Sequence, residues 1–351
     1  MKKFISIIRW YHKQIFSFDK EQNYHMLPLE TMKELWFNCE IFAIDSKIKI
    51  EKDPNFVKWV NIIYYKNFFQ YILYLLRNRS AITYSNTLTI KTLLVWIFSK
   101  KSVFIPHDSI FWSSKIKKTL ISFFYRFFTK IRLNNLAEVN EVNKIKKWIW
   151  VKAPLVVSWK FYNPDFTFDR ENIFISLWNL IPKKHPEFIL QALKIVKDKG
   201  YSFKLKVIGE DRLSETYWYT YQDLLKKYEL EKEVEVLWFI PHSDLPKHVK
   251  WACLYLNSST QEWLCLAVYE SVLMGLQTIL PDILSFDQVF WENGLYYKQQ
   301  DVRALAEKII YFLEHKEEFI KKIKKTQKLI LDEYNYNIIK LKLRKLFLSI
   351  E

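Results

Sequence analysis

The chain has 351 residues, with 54 Lys and Arg against 38 Asp and Glu, for a net charge of +16. This length accommodates two domains of ordinary size, no apolar run reaches the length of a membrane span, and the charge calls for an anionic partner: nucleic acid, a membrane surface or a phosphorylated ligand. The three cysteines, Cys39, Cys253 and Cys265, are odd in number and lack metal-ligand spacing, which argues for a reducing compartment and against a disulfide framework.

Residues 3–8 read as a first strand, an apolar run too short for the core of a secretory signal. A helix is expected over Asp19–Leu35, then a strand over Phe37–Ile44. Strand-like runs recur at Val60–Tyr65, Ala81–Tyr84 and Ser102–Pro106, separated by helical runs at Asn67–Arg77, Asn86–Ser99 and Ser113–Thr129. A further strand, helix and strand are expected at Ile131–Leu136, Glu138–Lys147 and Pro154–Ser158. Such alternation argues for an α/β domain with a mostly parallel sheet. His107 follows the strand Val103-Phe104-Ile105, at the strand end where parallel sheets bind ligands. A structural histidine reads the same way from position alone. Two basic aromatic helices, Asn67–Arg79 and Lys115–Arg132, read either as core-facing stripes or as interfacial helices on anionic lipid, the second being the stronger candidate.

Asn163-Pro164-Asp165 opens a linker ending near Arg170, after which the alternation becomes cleaner. Strand Ile173–Leu177 leads through a loop to a helix from Pro186 to Lys199, closed by Gly200. Strand Phe203–Ile208, a helix over Glu215–Tyr228, strand Val234–Leu237 and a helix over Asp244–Lys250 follow. Strand Cys253–Asn257 then opens the stretch of greatest chemical interest, NSSTQEWLCLAVYESVLMG over residues 257–275. Glu262 lies in its loop and Glu270 early in the helix that begins near Leu266 and Ala267. The first N–H groups of that helix point between the two carboxylates, and a helix N-terminus favours an anion. Two acids for hydroxyls around an amide nest for phosphate suit a nucleotide-sugar. A surface-loop acid and a solvated helix glutamate share the same spacing. Strands at Thr278–Leu280 and Leu295–Tyr297, helices Val302–Leu313 and Glu317–Leu331, and a basic helix Asn337–Leu348 complete the chain.

The runs Leu177-Trp178-Asn179-Leu180-Ile181-Pro182-Lys183-Lys184, Val207-Ile208-Gly209-Glu210, Val236-Leu237-Trp238-Phe239-Ile240, Leu256-Asn257-Ser258-Ser259-Thr260-Gln261-Glu262-Trp263 and Glu270-Ser271-Val272-Leu273-Met274-Gly275 occur in that order. Together they resemble the donor domain of the retaining glycosyltransferases of family 4 (glycosyl transferases group 1). The resemblance spans about Ile173 to Ile310, and the first half matches in layout only. It implies an α/β, GT-B fold: two Rossmann-like domains with parallel sheets facing across a cleft. The domains expected are an acceptor-side unit over 1–165, a donor unit over 166–335, and a helix over 336–351 packing back on the first.

By that resemblance Glu262 holds hydroxyls of the donor sugar, and Glu270 binds the ribose hydroxyls. The amides near Cys265, Leu266 and Ala267 face sugar and pyrophosphate, with Ser259 in the same loop. Lys184 lies on the diphosphate, Gly209 beneath the nucleotide, and Phe239-Ile240 beside the base. His107 approaches the donor sugar. Asn179 stands where the family usually has Arg, so Lys183 or another cation has to compensate or phosphate binding is weaker. The similar enzymes retain anomeric configuration and need no metal or other cofactor beyond the nucleotide-sugar substrate. The partners implied are a nucleotide-sugar, a glycan or lipid-linked acceptor and an anionic membrane surface, with the protein cytoplasmic at the inner face of the plasma membrane. Another GT-B nucleotide-sugar enzyme, or a non-catalytic or nucleic-acid-binding protein, are the competing readings. Nucleic acid is not expected, because the aromatics sit in apolar runs rather than on a basic sheet face.

The chain has 4 Gly and 14 Trp, whereas glycine ordinarily makes up about 7% of residues. Trp178, Trp238, Trp251 and Trp263 fall where the resembling family has glycine or a small residue. Trp36 ends a helix in the usual glycine place, and Trp159 and Trp291 sit at expected turns. The expectation is that many of these are UGA codons read as glycine in the natural protein and rendered as Trp here. Genuine tryptophans lining an aromatic sugar site are the alternative, with Trp10 an example of one that would be genuine.

Overall fold

The computed structural model describes residues 2–8, 26–43, 60–64, 68–85, 94, 97–105, 119, 122–133, 137–145, 149–168, 171–177, 180–262, 264–283, 286 and 293–351. The chain forms two compact units: Met1–Val156 with Tyr334–Glu351, and Val157–Glu333.

The first unit holds β1 (Lys3–Ile8), α1 (Met26–Glu34), β2 (Asn38–Ala43), β3 (Asn61–Tyr64), α2 (Phe68–Arg77), β4 (Ile82–Ser85), β5 (Lys101–Phe104), β6 (Lys130–Leu133), α3 (Ala137–Ile145) and β7 (Trp150–Lys152). Its seven strands run in the order β3-β2-β1-β4-β5-β6-β7, every pair parallel. Ile5, Ile7, Phe42, Tyr71, Leu75 and Ala81 form one buried cluster against it, and a second gathers around Phe104, Phe128 and Ile131. The last helix, Tyr336–Leu348, belongs to this unit: Asn335 caps it by accepting from the Ile338 amide, Tyr336 donates to Glu30 at 2.7 Å, and Phe347 packs edge-on against Phe4.

The second unit holds β8 (Ile173–Leu177), α4 (Pro186–Asp198), β9 (Lys204–Ile208), α5 (Tyr221–Lys227), β10 (Val234–Val236), α6 (Leu245–Val249), β11 (Leu254–Leu256), α7 (Leu266–Leu273), β12 (Gln277–Pro281), β13 (Leu295–Tyr297), α8 (Val302–Glu314) and α9 (Lys316–Tyr334); the helix from Tyr336 is then α10. Its strands run β10-β9-β8-β11-β12-β13, again all parallel. Every residue of β8, β11 and β12 is buried, as strands covered on both faces require. In each sheet the first strand of the unit lies beside the fourth, so the connections diverge there and leave a crevice at the carboxyl ends.

Four helix ends close by one device. In each, the second residue past the helix adopts a left-handed conformation, and its amide and the next one donate back to the last turn. Gly200 (φ 89°) and Gly275 (φ 94°) do this with no Cβ to strain, while Glu229 (φ 55°) and Trp36 (φ 63°) do it with one. At Trp36 its amide donates to Lys33 at 2.9 Å and that of Phe37 to Met32 at 3.0 Å, leaving the indole 86% exposed. At Gly275 an added Cβ would overlap the Phe166 ring.

The structure corrects several expectations. Residues 154–158 are buried coil, and the edge strand is Trp150–Lys152. Pro154 has no N–H with which to extend the ladder. The carbonyls of Ala153 and Pro154 turn instead to the guanidinium of Arg132, at 2.5 and 2.8 Å. Arg132 lies buried in β6 and is bonded also to Tyr84, so it is no part of an exposed basic helix face. The helix expected over 215–228 begins at Tyr221, where Thr220 and Asp223 form a capping box. The boundary between units falls at Val156–Val157 rather than at residue 165, because Phe161 and Phe166 are buried and the Asn163 amide donates to Leu273 of α7. The expected helix Asn86–Ser99 lies largely outside the described residues, and His107 wholly so.

Candidate active site

The crevice of the second unit lies where β8 and β11 part. After Leu177 the chain pairs with the segment following β9 through a bridge between Leu180 and Asp211, then makes a short 3-10 turn over Pro182–Lys184. His185, left-handed at φ 45°, turns it into α4, with Pro186 at the first helical position. From β11 the chain runs into Asn257-Ser258-Ser259, all buried. Buried polar groups need partners, and here they stitch the two loops together. The Ser258 hydroxyl donates to the carbonyls of Lys184 and His185 at 2.7 and 2.9 Å, and the Thr260 amide donates to Lys183 at 3.1 Å. Asn257 accepts from the Ser259 amide, and the Tyr297 hydroxyl donates to the Asn257 carbonyl.

This scaffold delivers Lys184, Ser259 and Glu262 to one place. The Lys184 ammonium is ion-paired with Oε1 of Glu262, and the Ser259 hydroxyl donates to the same oxygen at 2.7 Å. Both charged side chains are nearly buried, 13% and 10% exposed. Burial pulls the lysine down, but the charges of Cys265 and Glu262 outweigh it and hold Lys184 above the ordinary lysine range. Burial also pushes the Cys265 thiol up to about 12.

Cys265 stands at the N-cap of α7 without a side-chain cap bond, and the Leu266 amide donates to the Leu264 carbonyl at 3.1 Å. The positive end of the helix dipole thus lies in the same loop as Glu262. Glu270, one turn into α7, is buried at 3% exposure and takes Nε2 of His242 at 2.9 Å. The Gly209 amide donates to the carbonyl of Trp238 at 3.0 Å, which joins the loops after β9 and β10; Ile240 is half-buried in the second of these. Ala267 begins α7 beside Leu266. Asn179, like His107, lies outside the described residues. Among the described residues no three of His, Cys, Asp and Glu come together as a metal site. His242 and the loop-stitching Ser258 were not marked by sequence reasoning; their place at the carboxyl ends of β10 and β11 was the available signal.

Two parallel α/β units with this strand order define the GT-B fold, and the protein is an enzyme of the glycosyltransferase class. Residues 159–329 match the family model "Glycosyl transferases group 1". No curated protein matches the chain in sequence. Among solved structures, HepE of Anabaena in complex with UDP-glucose superposes with a TM-score of 0.76 at 12% identity, covering 99% of this chain and 100% of that one. A TarM variant of S. aureus, in complex with Fondaparinux, alpha-GlcNAc-glycerol and UDP, gives 0.70 at 10% identity, covering 99% and 100%. Sucrose-phosphate synthase of Thermosynechococcus elongatus gives 0.70 at 14% identity, covering 99% of each chain. At these identities the likeness is one of fold.

Proposed function

We propose that this protein transfers a hexose from a nucleotide-sugar to a glycan or lipid-linked acceptor, with retention of configuration, in the manner of family 4. The observation that carries the reading is the convergence of Lys184, Ser259 and Glu262 at the strand-order switch of the donor unit, beside the N-terminus of α7. Glu262 takes hydroxyls of the donor sugar. As the sugar becomes oxocarbenium-like, negative charge grows on the leaving diphosphate, and Lys184 with the helix N-terminus stabilises it. Glu270 takes the ribose hydroxyls, Ile240 flanks the base and Gly209 lets backbone approach the nucleotide. The family resemblance gives His107 a role at the donor sugar and Asn179 one near the phosphates. HepE and TarM, solved with UDP or UDP-glucose, support a nucleotide-sugar donor, and the ligands of TarM support a glycan-like acceptor. No metal or other cofactor is required in this reading. Thermal-shift measurements with UDP, GDP, ADP and their sugars test it, since ligand binding raises the melting temperature by mass action. NMR of the anomeric proton in the product tests retention; no shift with any nucleotide, or an inverted product, refutes the corresponding part.

We further propose that the enzyme works as a peripheral protein on an anionic, cytoplasmic membrane face. Phe68, Phe69 and Leu76 of α2 and Phe123 and Phe127 stand exposed, with Arg77 in the last turn of α2 and Arg126 between the latter pair. Among the described residues no helix is long and apolar enough to cross a membrane.

We also propose that Trp36, Trp178, Trp238 and Trp263 are glycine in the natural protein, through UGA codons read as glycine. Trp36 and Trp238 have φ of 63° and 51°, a region that bulky residues avoid. Trp36 occupies the same closing position as Gly200 and Gly275. Trp36, Trp159, Trp218, Trp238 and Trp251 are all at least half exposed, against the usual burial of tryptophan. Trp178 and Trp263 lie outside the described residues. The mass of the native peptide across Ser259–Tyr269 tests the proposal, and an indole there refutes it for Trp263.

A further inference from the structure

The carboxylate of Glu270 is 4% exposed, and a buried carboxylate needs a hydrogen-bond partner to remain ionised. One such partner comes from a different element. After β10 the chain turns at Pro241 into a 3-10 turn over His242–Asp244, held by the Asp244 amide donating to Pro241 at 2.8 Å. The turn sets the His242 ring against Phe161, with centroids 4.8 Å apart, and brings Nε2 to 2.9 Å from Oε1 of Glu270. A carboxylate only accepts, so Nε2 is the donor in both the neutral and the protonated ring. The imidazole thus packs at a tilt against the Phe161 ring and donates from its distal nitrogen to one oxygen of Glu270. Its side chain is 35% exposed, so this edge of the acid's surroundings opens to solvent.

We propose that His242 is a positioning residue for the nucleotide's ribose: it fixes the Glu270 carboxylate in the orientation that receives the ribose hydroxyls. This rests on the reading of Glu270 given under Proposed function. His242 comes from the loop after β10, whose Trp238 carbonyl also receives the Gly209 amide. One loop therefore joins the floor beneath the nucleotide to the acid that takes its sugar.

The test is isothermal titration of UDP and 2′,3′-dideoxy-UDP into the parent, His242→Ala and His242→Gln. A hydrogen bond to a charged group gives the parent roughly a ten- to hundredfold preference for UDP. His242→Ala is expected to lose most of that preference by weakening UDP while leaving the dideoxy nucleotide unchanged. His242→Gln, whose amide can donate to the same oxygen, is expected to recover much of it. An undiminished preference in His242→Ala overturns the proposal, as does an equal loss for both nucleotides in His242→Ala and His242→Gln, which marks a structural role. A parent that binds both nucleotides equally overturns instead the ribose reading of Glu270.

Discussion

The ammonium of Lys184 and the carboxylate of Glu262, 78 positions apart, are ion-paired in a nearly buried site, and the Ser259 hydroxyl shares the same carboxylate oxygen. The pair exists because the Ser258 hydroxyl and the Thr260 amide tie the loop of one to the turn of the other. In the proposed function, a donor entering here would meet a cation and an anion already oriented, which lowers the reorganisation required at the transition state.

Replacing Glu262 with Gln keeps the side chain's shape and its Ser259 contact but removes the charge. Loss of a charge-assisted bond costs about 1.5–3 kcal/mol, so sugar transfer should fall by at least tenfold while circular dichroism remains parental. Steady-state rates with saturating donor check this, and parental transfer would remove Glu262 from the site.

The Lys184 ammonium is held above its ordinary value of 10.5 in the fold. A group whose value rises on folding contributes stability that is complete below the unfolded value and disappears as pH climbs through the folded one. The stability gap between the parent and Lys184→Met should therefore stay constant from neutral pH to about 10 and shrink above that, as read by denaturant unfolding at each pH.

Gly275 combines a left-handed backbone with an absence of space beside Phe166. Gly275→Ala should cost roughly 1–2 kcal/mol for the conformation and about 1–3 kcal/mol more for overpacking. Trp36→Gly should move the other way, relieving about 1–2 kcal/mol of left-handed strain, offset in part by the unfolded-state entropy of glycine. Unfolding midpoints of the two variants provide the check; a destabilised Trp36→Gly would weigh against glycine at that position.

Cys39, Cys253 and Cys265 are buried and free, and burial pushes each thiol up to about 12. The thiolate is the reactive form, so an aromatic disulfide reagent at pH 8 should label none of the three in the folded protein and all three in denaturant. Rapid labelling without denaturant would show that one of these sites opens.

If the exposed Phe and Arg side chains of the first unit meet a membrane, the protein should sediment with anionic liposomes and not with neutral ones, since each cation near an anionic leaflet contributes about 1 kcal/mol. Phe123→Ser with Phe127→Ser should reduce the bound fraction. Equal partition to both liposome types, or to neither, would remove the proposal.

Much of this protein is legible without coordinates. Apolar runs separated by helical periodicity already spell two parallel sheets, because a strand buried on both faces is largely apolar, as Ile173–Leu177 is at every position but Ser176. The two acids announce themselves because chain and space coincide there: strand, loop and helix follow one another directly. Local pattern also exposes the left-handed position at Trp36, since a helix must end before a strand can begin. Only the tertiary structure decides the rest. Pro154–Ser158 has the composition of a strand, but the buried guanidinium of Arg132 takes the carbonyls of Ala153 and Pro154. His242 carries no local signal beyond its place after the carboxyl end of β10. Its meaning comes from Glu270, 28 positions away on another element, and a hydrogen bond from the turn after one strand to the helix after another is set by sheet order, which no stretch of sequence contains on its own.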